Sequence, residues 1–101
     1  MKFMLTFAIK PGSRGRDEAI ARFKATGGFP PGEAKLLGRW TMADFSGGFV
    51  LLESEGAQDL AKFSLMWSDV MELKLAPVVN DAELAAVLTR ADLAIERAAI
   101  H

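Results

Sequence analysis

The sequence has no cysteine, which excludes disulfide staples, thiolate metal sites and thiol nucleophiles. Its single histidine is His101, the last residue, at a position where chains fray. A His-centred triad or a histidine-ligated haem therefore has no footing. Charge is undirected as well: 12 Lys and Arg stand against 13 Asp and Glu, for a formal net charge of -1. With no basic block, the field that draws a protein to nucleic acid or to an anionic bilayer is missing. No run approaches the roughly 18 apolar residues of a membrane span. The opening residues Met1 to Gly12 have neither the long apolar core nor the small-residue cleavage site of a secretory signal. A cytoplasmic protein with no nucleic-acid and no membrane partner is expected. The carboxylates are scattered without metal-ligand spacing, and neither Gly27-Gly28 nor Gly47-Gly48 opens a helix directly after a strand, so no metal and no cofactor are expected either.

What is present is an ordinary globular composition, with half of the 101 residues apolar and a quarter charged, short enough for one domain over 1–101. Residues 2–9 alternate Phe3, Leu5, Phe7, Ile9 with Met4, Thr6, Ala8, a strand with two apolar faces. Ser13 reads as the N-cap of a helix over about 14–26, with Ala19, Ile20, Phe23 and Thr26 inward and Arg16, Asp17, Arg22 and Lys24 toward water. Gly27 and Gly28 end it, and Pro30 and Pro31 forbid its continuation. A second strand over 35–42 sets Leu36, Gly38, Trp40 and Met42 on one face and Arg39 and Thr41 on the other. The turn at 44–48 draws on Gly47 and Gly48 for positive φ, and a third strand follows over 49–53. A helix over about 56–68 buries Leu60, Phe63, Ser64 and Trp67, and a fourth strand from Met71 stops near Pro77. Asn80 and Glu83 have capping-box spacing ahead of a final helix over about 81–99 with the stripe Leu84, Val87, Leu88, Ala91, Ile95 and Ala98. This α+β order, β-α-β-β-α-β plus a C-terminal helix, is that of the ferredoxin-like fold.

Two helices on one face of such a sheet leave the other face open, and here that face is apolar whichever set of strand-one residues it shows. A homodimer that packs two sheets face to face is the expected remedy, with the final helix reaching over the partner; the alternative is that this helix caps the open face of a monomer.

The run Lys35-Leu36-Leu37-Gly38-Arg39-Trp40, then Asp44, then Gly47-Gly48, resembles the DUF3303 domain family of short bacterial proteins of unknown function. The opening Lys2-Phe3-Met4, Ala19-Ile20-Ala21-Arg22-Phe23 and Pro77-Val78 are similar too, so the likeness covers about residues 1–88. It implies the dimeric α/β barrel superfamily, which fixes architecture better than activity.

The residues suited to a site are few. Trp40 and Trp67 offer flat apolar walls for a ligand, or else core packing. Arg39 offers a guanidinium for a ligand carboxylate or oxyanion, or else an ion pair with Glu53 or Asp44. Asp44 is the candidate catalytic base, with a raised pKa if shielded, or else it sets the turn. Neighbouring strand residues point to opposite faces, so Trp40 is expected to wall the cavity while Arg39 acts from its rim, solvated until a ligand arrives. The function expected is small-molecule binding, with a cavity for an anionic planar ligand. The alternatives are a cofactor-independent isomerase or monooxygenase acting on an aromatic or polyketide-like acid, and a structural partner protein.

Overall fold

The computed structural model describes the backbone of residues 1–100 and the side chains among them except those of Ser13 and residues 91–100. The elements run β1 (Lys2–Ile9), α1 (Ser13–Thr26), β2 (Lys35–Thr41), β3 (Gly47–Glu53), α2 (Gln58–Trp67), β4 (Met71–Val78) and α3 (Asp81–Ile100). The four strands form one antiparallel sheet in the order β2-β3-β1-β4. This is the ferredoxin-like arrangement, in which each helix crosses over one strand to reach the next.

Alternation on β1 fixes the two faces of the sheet. Phe3, Leu5 and Phe7 are buried with Val50 and Leu52 of β3, and α2 closes over them with Leu60, Phe63 and Trp67. Leu52 and Leu60 are sealed from solvent entirely, so the centre of the core lies where β3 and β1 meet α2. The α1 helix contributes less. Of its inward stripe only Ala19 is buried; Ile20 is half-buried, and Phe23 and Thr26 are exposed.

Several local expectations change. The first helix begins at Ser13 itself, with Gly12 as its cap residue; the Ser13 side chain lies outside the described residues. Arg22, on the solvent side of α1, is half-buried and paired rather than free: it donates from Nη1 and Nη2 to the two carboxylate oxygens of Asp69 at 2.8 Å, donates to Met66 O at 2.8 Å, and stacks 5.4 Å above the Trp67 ring. On β2 the register shifts between Leu36 and Gly38. The extra residue, Leu37, sends Leu36 inward opposite Leu52 while Gly38 and Trp40 stay on the outer face, so the expected set Leu36, Gly38, Trp40 is divided by a bulge.

Gly47 and Gly48 belong to β3, and neither has positive φ; in the hairpin Phe45 does, at 61°. Gly48 is required for a different reason, since a Cβ there would run into the Trp40 carbonyl and the Phe7 ring. Strand β4 continues through Pro77, which is tolerated because β4 is an edge strand with one free side. The cap of α3 forms as its spacing predicts. Glu83 N donates to Asn80 Oδ1 at 2.8 Å, and Asn80 N donates to Glu83 Oε1 at 3.2 Å. Every residue from 81 to 90 is exposed, including Leu84, Val87 and Leu88. The later stripe positions Ala91, Ile95 and Ala98, and His101, lie outside the described side chains.

Candidate functional site

The thin inward face of α1 leaves a gap against the sheet. Beneath it the inward residues of β2 after Leu36 are Arg39 and Thr41, which do not fill space as large apolar residues would. The result is a cavity of about 330 Å³ between α1, the tip of α2, the hairpin turn and the helix-side face of the sheet, within the size range of small-molecule sites. Its floor is Leu5, Phe7, Val50 and Leu73, Trp67 closes one end, and Phe23 and Phe45 stand at the mouth. Among the described residues three polar ones line it, Arg39, Lys24 and Thr41, and none is acidic.

Arg39 is held in place. Its Nη1 donates to Gly28 O at 2.7 Å and its Nη2 to Gly27 O at 2.9 Å, while the guanidinium carbon lies 4.6 Å from the centre of the Phe23 ring. The carbonyls belong to the turn that ends α1, where Gly27 and Gly28 have φ of 74° and 64°. Glycine suits position 28 because L side chains rarely adopt its φ of 64°, and a Cβ there would also stand 2.7 Å from Arg39 Nη1 and 3.1 Å from Phe23. Burial pushes the Arg39 pKa down from its ordinary value. No carboxylate among the described residues lies within ion-pair distance of it. The expected partners are elsewhere: Glu53 sits opposite Lys35 on the outer face, and Asp44 is engaged by Ser46. Arg39 is thus half-buried beside Phe23 at the cavity mouth rather than free in solvent. Two helix-end carbonyls and the Phe23 ring hold it there against the cost of its desolvation.

The four residues singled out from sequence separate into three places. Trp67 is buried and shares the cavity with Arg39. Trp40 lies on the opposite face of the sheet, 59% exposed, with its ring folded back over Gly38; a Cβ on that glycine would be 2.7 Å from the indole. Asp44 lies in the exposed hairpin turn, where Oδ1 accepts from Ser46 Oγ at 2.7 Å and from Ser46 N at 3.0 Å. Those bonds hold its carboxyl below the usual range, the reverse of the upward shift a shielded general base requires. Among the described residues no three His, Asp or Glu side chains come together as metal ligands would, and no helix is long and apolar enough to cross a membrane.

Phe23, Lys24 and Phe45 enter the cavity wall without having been singled out for it. Lys24 had a legible signal: it follows Ile20 by four residues, which places both on one helix face. Phe45 had none, because its side chain is aimed by a left-handed backbone conformation rare outside glycine and asparagine.

The class these features define is a ferredoxin-like α+β domain with an apolar cleft under its first helix and an arginine fixed in the cleft wall. The chain belongs to the DUF3303 family, whose model, described as a domain of unknown function, matches residues 1–92. No curated protein matches the chain.

Proposed function

We propose that the protein binds a small planar acid in the cavity under α1, with the apolar body against Trp67 and the acid group at Arg39. The observation that carries this reading is Arg39: a partly buried guanidinium, without a described carboxylate partner, in a mostly apolar wall. A desolvated cation costs free energy that a neutral side chain would not, and an anionic ligand would offset that cost. Two of the five N–H donors of a guanidinium are used by Gly27 and Gly28, leaving others for a ligand. The reading replaces Trp40 by Phe23 as the second aromatic wall.

Trp40 belongs instead to a dimer interface in this proposal. Across the sheet the outer face carries the row Gly38, Leu51, Met4, Ala76 and the row Trp40, Phe49, Thr6, Lys74, bordered at one end by Lys35, Glu53 and Lys2. An apolar centre with both signs of charge around it suits a second copy of the same face. The exposed Leu84, Val87 and Leu88 of α3 supply further apolar surface for the partner. Two sheets so joined make the dimeric barrel.

Titration with 2-naphthoate, followed by backbone amide NMR shifts, tests the binding reading. Shifts should centre on Phe23, Gly28, Arg39 and Trp67. Shifts centred on Trp40 and Phe49, or no saturable shift up to millimolar ligand, would refute it.

A further inference from the structure

The cavity carries a second cation whose placement suggests a more specific recognition chemistry. Lys24 lies on the last turn of α1 and lines the cavity from the helix side, whereas Arg39 lines it from the sheet side. We infer that Lys24 is a second anion-binding residue, so that the ligand is an apolar monocarboxylic acid whose carboxylate is held at the cavity mouth between Lys24 and Arg39. This rests on the binding reading above and extends it to a residue and a ligand class.

First, the lining is unbalanced: in a chain of net charge -1, the described residues of the cavity wall include two cations and no anion. Second, the two cations differ in a way that suits one shared carboxylate. Arg39 is fixed by Gly27 O, Gly28 O and the Phe23 face, and so defines where an oxygen must sit. Lys24 is exposed and makes no hydrogen bond or ion pair among the described residues, so its ammonium is free to swing onto the other oxygen. Third, the apolar surface lies deeper, from Phe7 and Val50 to Trp67, which orients the ligand with its acid end outward. A neutral ligand of the same shape would leave both cations unmatched, and a dianion would exceed what one fixed and one mobile donor at a solvent-open mouth would neutralise.

The competing role for Lys24 is to complement the C-terminal end of the α1 dipole. That role predicts a change in stability and none in ligand discrimination. The test uses the full chain with Trp40→Phe, so that emission reports Trp67, and compares 2-naphthoate with its neutral isostere 2-naphthamide. The unaltered pocket should prefer the acid. Lys24→Gln should weaken naphthoate about two- to fivefold, the range for one partly exposed ion pair, with naphthamide affinity unchanged, and Lys24→Arg should restore acid binding. If Lys24→Gln leaves naphthoate affinity unchanged while Arg39→Lys lowers it, the Lys24 inference is overturned and the cavity reading survives. If neither compound binds the unaltered pocket, both fall together. Thermal midpoints of the Lys24 variants separate a loss of fold from a loss of binding, and the amide serves as the internal control.

Discussion

Replacing Arg39 by Met separates the structural work of this side chain from any work it does for a ligand. The arginine donates two charge-assisted bonds, at 2.7 and 2.9 Å, to the carbonyls that end α1, and it stacks on Phe23 at 4.6 Å. A hydrogen bond from a charged donor contributes about 1.5–3 kcal/mol when its partner would otherwise be buried and unpaired. Gly28 is buried but Gly27 is only half-buried, and water regains part of what the guanidinium gives, so the lower end applies. The cation–π contact adds about 0.5–1 kcal/mol, while methionine keeps an apolar stem over the ring. Relief of the burial that lowers the Arg39 pKa works in the opposite direction. The expected loss is about 2–3 kcal/mol, which for a domain of this size corresponds to a fall in melting temperature of about 10–20 °C. Urea denaturation followed by Trp67 emission in the Trp40→Phe background measures it. Arg39→Lys, which keeps a charge but cannot bridge two carbonyls, should lose about half as much by the same hydrogen-bond scale. Gly28→Ala should displace the same guanidinium, because its Cβ would occupy the space next to Nη1, and the losses in the double variant with Arg39→Met should be less than additive. An Arg39→Met protein within about 0.5 kcal/mol of the parent, a change typical of surface sites, would refute the reasoning: the helix end would then be served by water, and the fixed geometry assigned to the cavity wall would be lost.

Two further predictions concern acid stability and assembly. The Arg22 guanidinium holds the Asp69 carboxyl down to about 2 from 3.8, so in the folded state this group binds its proton later than in the unfolded chain. Its contribution is fully present above about pH 4 and is lost as the pH falls toward 2; melting temperatures over that window should drop more steeply for the parent than for Asp69→Asn. Sedimentation at micromolar concentration should give twice the chain mass, and Trp40→Glu, which puts a charge in the middle of the outer sheet face, should give a folded monomer. A parent protein that sediments as a monomer would remove the dimer.

The elements and their order were legible from the sequence by itself, because alternation on β1 and β4, the helical spacing of Leu60, Phe63 and Trp67, and the Asn80-to-Glu83 cap are local patterns with local causes. The split βαβ order then constrained the sheet, since short connections and right-handed crossovers leave few ways to arrange four such strands. Tertiary structure decided which residues meet. The bulge at Leu37 depends on how β2 pairs with β3, and it set Leu36 and Arg39 on the helix side while Trp40 remained outside. The partners of Arg39 are backbone carbonyls 11 and 12 residues away, and any residue type presents a carbonyl, so no pattern of side chains signals them. Arg22 finds Asp69 across 47 residues of chain in the same way. The cavity itself is a deficit of volume between α1 and β2, the sum of small or polar choices at Ala19, Arg39 and Thr41. Each of these is unremarkable on its own strand or helix, and they form a cavity only when the packing of the two elements sets them face to face.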